Sequence, residues 1–316
     1  MTLKYPIAII GPTAIGKTAI AVSLAKILNG EIIGLDSRQI YKGMGIGTAQ
    51  PKTEEMDEIP HHLIGLRDPS KPVSAGEYAK LVKDEIGQIH TRRKFPIICG
   101  GAGLYFRALT IGIFDGSVSE LNIRDRLNIE YEENPDRLVE RLMTIDPEYG
   151  EIVHINNKKR LVRALEIYES TGRTPSEHFK MQKDDSGDTL ELFSVLLEMK
   201  KEKLNQQIEL RTEAMLAEGW VDEVKQLIKY QTESELKFPA LDSIGYKQIQ
   251  SYLNNEISFE EMKEKIIVRT RQFSRRQVQW FKKENIDLRI EVSGLTKFQI
   301  AENILDVLYK TKGNTP

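Results

Sequence analysis

Ile7-Ala8-Ile9-Ile10-Gly11-Pro12-Thr13-Ala14-Ile15-Gly16-Lys17-Thr18 is the stretch that decides the fold of this chain. A short apolar run ends on a glycine, a G-x-x-x-x-G-K-[ST] pattern follows, and Lys17 to Leu28 then repeats apolar residues with helical spacing. A buried strand, a glycine loop and a helix, in that order, can turn backbone amides and a helix N-terminus toward a phosphate. Gly11 and Gly16 allow close backbone approach, Lys17 adds a full charge, and the Thr18 hydroxyl can help hold Mg2+. The phosphate-binding residues therefore read as Gly11, Pro12, Thr13, Ala14, Ile15, Gly16, Lys17 and Thr18. At average composition such a pattern arises by chance in about one chain in a hundred of this length, and requiring the flanking strand and helix makes it rarer.

Outward from that loop, strands and helices alternate. Glu31–Leu35 is a second apolar run ending at Asp36, Ser74 to about Arg93 reads as a helix opened by a Ser74/Glu77 capping box, and Pro96–Cys99 runs into Gly100-Gly101-Ala102-Gly103. Strands separated by helices predict an α/β fold, a P-loop NTPase-like parallel sheet flanked by helices. From about Gly116 to Gln182 the sequence turns helical and charged, with breaks at Pro135, Pro147 and Thr171-Gly172, and 183–188 reads as a polar linker. Leu192–Leu197 resumes strand character, and helices are expected beyond it, including Lys203 to Leu216 and Phe259 to about Lys283. The expected organisation is a P-loop-like core of 1–115 and 190–316 with a mostly helical insertion over 116–189.

The 316 residues carry one cysteine, Cys99, which excludes an internal disulfide framework and fits a reducing compartment. No apolar run reaches membrane-spanning length and no secretion signal opens the chain, so a cytoplasmic enzyme is expected; a monomer is expected as well. His61-His62 has no third ligand nearby in sequence and reads as packing or polar support, and Cys99 reads as a small buried residue. A phosphate loop alone leaves the reaction open. The Pro96–Cys99 strand ends in glycines with no carboxylate, which weakens a motor or switch ATPase and leaves phosphoryl transfer or diphosphate handling without hydrolysis. Asp36, directly after its strand, belongs at the sheet edge where ligands bind, as a general base, a Mg2+ partner or simply a turn cap.

The residues of this loop, with Asp36-Ser37-x-Gln39-x-Tyr41, Ile46-Gly47-Thr48-Ala49, Pro60-His61-His62-Leu63 and Gly100-Gly101-x-Gly103-Leu104-Tyr105, resemble the tRNA dimethylallyltransferase family. Arg160-Leu161-x-Arg163-Ala164-Leu165-Glu166, Ile244-Gly245-Tyr246-Lys247 and Arg276-Gln277-x-x-Trp280-Phe281 continue the likeness in order over nearly the whole chain. The C-terminal zinc finger of eukaryotic relatives is not found, so the bacterial type is the closer match. The resemblance implies transfer of a dimethylallyl group from its diphosphate to N6 of the adenosine at position 37, beside the tRNA anticodon, with Mg2+. It implies Asp36 as general base beside Lys17, with Asp36, Ser37, Arg38, Gln39 and Ala102 near the target base. It further implies diphosphate contact by Arg211 and tRNA contact by Arg124, Lys159, Arg160, Leu161, Val162 and Arg163. Three positions depart from the family: Ala102 stands where threonine is usual, and Gly45 and Gly65 stand where aspartate is frequent. Slow but genuine transfer is expected.

A net charge of -2 argues, on average, against a nucleic-acid partner. Locally it does not. Residues 263–283 hold eight Lys/Arg against the single acid Glu264, and Arg269, Arg276 and Lys283 recur on one helical face, with Arg275 beside them. Ile266, Phe273 and Trp280 recur on another face, which favours core packing over base stacking. A nucleoside or small-molecule kinase, a prenyltransferase acting on free adenine nucleotides, and a non-catalytic relative are the competing readings; the basic helix and the Lys158–Arg163 cluster favour tRNA.

Overall fold

The computed structural model describes residues 5–112, 120–184 and 189–311. Within these the chain divides into two compact units, one of 1–73, 77–106 and 191–316 and the other of 74–76 and 107–190. The expected change of character at Gly116 and most of the expected linker over 183–188 lie outside the described residues.

The first unit is built on six parallel strands: β1 (Ile7–Ile10), β2 (Gly30–Leu35), β3 (His61–His62), β4 (Phe95–Gly100), β5 (Phe193–Glu198) and β6 (Leu288–Glu291), in the order β3-β2-β4-β1-β5-β6. The expected α/β class is what is found. β1 is wholly buried and the sheet is packed on helices, so its strands read as continuous apolar runs rather than alternating ones. Ile7, Ile9, Val195 and Leu197 meet Ile20, Leu24 and Ala25 of the helix Lys17–Leu28, and Ile300, Ile304 and Leu308 of the helix Lys297–Thr311, in one apolar cluster. Burying each large aliphatic side chain there is worth about 1.5–3 kcal/mol.

Two strands are not legible in the sequence. β3 is two residues long, too short for a period, and β6 (Leu-Arg-Ile-Glu) lies in a region read as wholly helical. β6 is an edge strand with only Ile290 buried, and its exposed Arg289 and Glu291 mask its period while discouraging further pairing.

Register fixes where the loops emerge. Ile10 pairs with Gly100, and Leu35 pairs with the same Gly100, so β1, β2 and β4 end level. The phosphate loop, Asp36 and the Gly101 turn therefore leave one carboxyl edge side by side, the edge at which parallel α/β sheets hold ligands.

The second unit is helical over its longer segments: Leu121–Glu133, Pro135–Ile145, Pro147–Gly150, Lys158–Thr171 and Pro175–Asp184. The predicted breaks begin or end helices. Pro135 and Pro147 stand at first positions, where no amide is needed, capped by Asn134 and Asp146; Gly172 closes its helix in the left-handed conformation. Leu127, Leu138, Leu142, Leu161, Val162 and Leu165 form its core.

Two glycine substitutions test this packing. At Gly47 a Cβ would lie 2.0 Å from Trp220 Nε1, so Gly47→Ala is expected to lower stability by about 1–3 kcal/mol. Gly87 is exposed within the helix Ala75–Thr91 with nothing near its missing Cβ, so Gly87→Ala is expected to raise stability by about 0.5–1 kcal/mol; urea titration of both variants checks the two signs.

Candidate active site and nucleic-acid interface

The phosphate loop runs from β1 into the helix beginning at Lys17, with Gly16 as its N-terminal flanking residue at φ 92°. Gly11 takes φ 151°, and a Cβ there would meet the Leu197 carbonyl of β5 at 2.9 Å. Only glycine fits. Ala14 is held at φ 66°, a left-handed conformation that costs an alanine about 1 kcal/mol or more and persists where the surroundings enforce it. Lys17 folds over the loop and donates from Nζ to the carbonyls of Gly11 (3.1 Å) and Pro12 (2.8 Å). Its stem is half-buried, but the ammonium lies well inside. That burial is the main force lowering its pKa to about 8; Arg211 adds to it, and Asp36 pulls the other way. Arg211, from the helix Lys201–Ala217, donates to Thr13 Oγ1. Its own pKa is lowered by burial, against the pull of Asp36. Lys17, Arg211 and Asp36 thus feel one another's charge at the sheet edge. Burial pushes the nearby Cys99 thiol up to about 11, which leaves it a neutral packing residue at neutral pH.

A residue given no role from sequence stands at the centre. Gln277, buried on the helix Phe259–Phe281, accepts from the Thr13 amide (2.9 Å) and donates to the Gly101 carbonyl (2.8 Å). It ties the phosphate loop to the turn after β4. The Thr13 amide is thereby committed, leaving the amides from Ala14 to Thr18 as the cradle. The helix can come this close because Gly101 and Gly103 lack side chains: a Cβ on Gly101 would lie 2.4 Å from Gln277 Nε2, and one on Gly103 would lie 2.3 Å from Trp280 Cδ1. Gln277 sits inside the Arg276-Gln277-x-x-Trp280-Phe281 motif, so the signal was present without a role attached.

Asp36 follows β2 and accepts through Oδ1 from the amides of Arg38 (2.8 Å) and Gln39 (3.4 Å). One oxygen is therefore a turn cap, while no hydrogen bond to the other is found among the described residues. Tyr78 donates to the Gly34 carbonyl (2.7 Å) and stacks on Tyr105 (centroids 4.3 Å apart), bracing the end of β2. Gln39 spends its Nε2 donors on the Thr48 (3.1 Å) and Ala49 (2.7 Å) carbonyls, pinning its own loop and leaving Oε1 for any further contact. Ser37, Arg38, Gln39 and Ala102 are all half-buried. The Ile46-Gly47-Thr48-Ala49 and Ile244-Gly245-Tyr246-Lys247 motifs meet around Trp220, which fills the space beside Gly47 and Gly245. Glu223 clamps them by accepting from the Ile46 (2.7 Å) and Gly47 (2.9 Å) amides and from Tyr246 Oη (2.6 Å).

The family departures at Gly45 and Gly65 face one side chain. Cβ atoms at these positions would point at Gln50 Oε1 from 3.6 and 3.5 Å, and Gln50 Nε2 donates to the Gln39 and Tyr41 carbonyls. His61 Nδ1 bonds the Ile59 carbonyl, and His62 stands between Glu31 (2.7 Å) and Glu85 (3.2 Å). Both histidines give polar support, as expected.

On the long helix, Arg269, Arg275 and Arg276 are exposed, as are Lys265, Lys282 and Lys283, and none of the six forms an ion pair among the described residues. Lys263 and Arg271 instead pair with Glu213 and Glu209. The expected apolar stripe is corrected: Ile266 is buried, but Phe273 is 37% exposed, because the packed face runs through Met262, Ile266, Ser274, Gln277 and Phe281. In the helical unit Lys159 and Arg160 are exposed at the start of the helix Lys158–Thr171. Leu161 and Val162 are not available to RNA through their side chains, since both are buried in that unit's core. Arg124 and Arg163 converge on Glu166.

The pKa of Lys17 supplies a test. The ammonium persists below about pH 8 and is lost above it, whereas a bound anion would favour the charged form. Affinity for an alkyl diphosphate is expected to stay level up to about pH 8 and fall above it. In Lys17→Arg, whose guanidinium keeps its proton, calorimetric titration should show no such fall.

The model of the IPP transferase family matches residues 39–284. The tRNA dimethylallyltransferase of Anoxybacillus flavithermus is 39% identical over 279 residues, covering 88% of this chain and 87% of that one. That of Thermotoga neapolitana is 37% identical over 300 residues, covering 95% and 96%. Among solved structures, the tRNA isopentenylpyrophosphate transferase of Bacillus halodurans superposes with a TM-score of 0.69 at 32% identity, covering 97% of both chains. A eukaryotic dimethylallyltransferase acting on tRNA reaches 0.79 at 29% identity, covering 98% of this chain and 80% of its own. Phosphate loop, glycine turn and long basic helix lie within or beside the matched span, and the chain belongs to the IPP transferase family.

Proposed function

We propose that this protein transfers a dimethylallyl group from dimethylallyl diphosphate to N6 of an adenosine next to the tRNA anticodon, at position 37, with release of diphosphate. The observation that carries this reading is one sheet edge holding both a diphosphate cradle and an acceptor carboxylate: Asp36 lies near enough to Lys17 and Arg211 to shift both. The diphosphate sits on the amides from Ala14 to Thr18, with Lys17 and Arg211 at its charge. As the allylic C–O bond breaks, these donors stabilise the negative charge gathering on the leaving group. N6 forms the new C–N bond, and its proton passes to the Asp36 oxygen that does not cap the turn. Ser37, Arg38, Gln39 and Ala102 surround the base, while Lys159, Arg160, Arg269, Arg275 and Arg276 meet the backbone of the RNA.

No group of three His, Cys, Asp or Glu side chains arranged to hold a metal is found among the described residues. The donor suited to Mg2+ is the Thr18 hydroxyl, a hard oxygen at the start of the helix, and phosphate oxygens of the substrate would complete the shell. Bound there, Mg2+ would offset diphosphate charge. No helix among the described residues is long and apolar enough to cross a membrane. We read the protein as a cytoplasmic monomer.

Mass spectrometry of nucleosides from tRNA incubated with the protein, the prenyl donor and Mg2+ should show adenosine carrying a five-carbon prenyl unit; unmodified adenosine throughout would reject the reading. Asp36→Asn keeps the acceptor for the Arg38 amide but removes the base, so it should bind tRNA as tightly as wild type and transfer about a hundredfold more slowly or worse. Ala102→Thr restores a hydroxyl beside the site and should raise turnover about tenfold, the equivalent of one hydrogen bond to a charged group.

A further inference from the structure

The sheet bonds that align β1, β2 and β4 stop short of the site. The pairing of β1 with β4 ends with Ile10 opposite Gly100, and that of β2 with β4 ends with Leu35 opposite the same glycine. Thr13 and Asp36 both lie past those last rungs. Alignment is carried beyond them by a run of hydrogen bonds. The Thr13 amide donates to Gln277 Oε1 (2.9 Å), and Gln277 Nε2 donates to the Gly101 carbonyl (2.8 Å). The next amide of that turn, Ala102, donates to the Leu35 carbonyl (3.2 Å), one residue before Asp36. The turn is pressed onto the end of β2, since a Cβ on Gly100 would lie 2.0 Å from the Leu35 carbonyl oxygen. This path joins the phosphate loop to the acceptor carboxylate, and its one side-chain link is Gln277.

The link is itself firmly held. Gln277 is 7% exposed, and its helix Phe259–Phe281 is joined to the helix Lys201–Ala217 by the Lys263–Glu213 and Arg271–Glu209 pairs. Arg211 of the latter helix donates to Thr13 Oγ1, so Thr13 is held through its amide by one helix and through its hydroxyl by the other. The contact also removes a donor from the cradle. Backbone amides at a helix N-terminus bind phosphate, and a contact that served affinity for diphosphate would have left the Thr13 amide free. Alignment is what it serves instead.

We propose that Gln277 is a positioning residue for the transfer: its carboxamide sets the spacing between the diphosphate cradle and Asp36, and so governs the rate of transfer and not the binding of the donor. The proposal rests on the transfer reading above and adds to it a residue that acts through Thr13 and Gly101.

The test separates rate from affinity. Gln277→Met fills similar space and makes neither bond. In the full chain, with Mg2+ and both substrates saturating, its kcat is expected to fall about a hundredfold, the order of loss that follows a misplacement of about 1 Å. Calorimetric affinity for an alkyl diphosphate is expected to be no lower than that of the wild type, because the amides from Ala14 to Thr18 are untouched. Gln277→Asn, one methylene short of spanning both partners, is expected to show the same split, and it serves if circular dichroism shows Gln277→Met unfolded. An unchanged kcat in a folded variant, or a kcat that falls only in step with diphosphate affinity, overturns the positioning role and leaves the transfer reading standing. Failure of both variants to fold overturns it too, since the contact would then be a folding requirement. No transfer by the wild type overturns the transfer reading and this proposal with it.

Discussion

The carboxamide of Gln277 is the contact on which the site depends. A carboxamide carries an acceptor oxygen and a donor nitrogen on one rigid plane, and here it spans the Thr13 amide and the Gly101 carbonyl. A glutamate could not donate to Gly101, and a methionine would leave both buried backbone groups unpaired, each costing about 1–3 kcal/mol. The bridge also ties the long C-terminal helix to the phosphate loop and to the turn after β4. The helix that exposes Arg269, Arg275 and Arg276 is the one whose inner face holds the phosphate loop.

Carboxylates do comparable work elsewhere. Glu223 gathers two amides and a tyrosine hydroxyl and so holds the 45–49 loop against Trp220; Glu166 gathers two arginines and an amide. In each case the anion accepts several directed bonds, which fixes geometry more firmly than one ion pair could. The near-neutral total charge conceals this local separation. A few acidic residues act as organisers within the fold, while six basic residues at 265–283 are exposed and form no ion pair among the described residues.

The departures from the family pattern have different physical weight. Gly45 and Gly65 both border Gln50, whose Nε2 already holds the carbonyls of Gln39 and Tyr41, so the loop after Asp36 is braced without a carboxylate at either position. Ala102 has no such substitute among the contacts described, and it stands one residue from the Gly101 carbonyl that Gln277 holds.

Much of the fold was legible along the chain. The β1 run, the helix from Lys17 to Leu28, the strands around Ile33, Ile98 and Val195, and the proline breaks at 135 and 147 all depend on local pattern: apolar runs, glycine placement and capping chemistry. β3 and β6 were not legible, because two residues have no period and the charged side chains of a short edge strand mask its alternation. For the same reason Phe273 was misread: a seven-residue repeat says which residues share a face but not where the packed face ends. The roles of Gln277, Glu223 and Glu166 needed the tertiary structure, since their partners lie 176 residues away for Gln277 and Gly101, and 177 for Glu223 and Ile46. Sequence by itself determined which chemical groups this protein has and the parallel sheet that carries its phosphate loop. Only the tertiary structure decided which of those groups touch, because hydrogen bonds between distant segments are set by strand register and helix packing, and neither has a local signature.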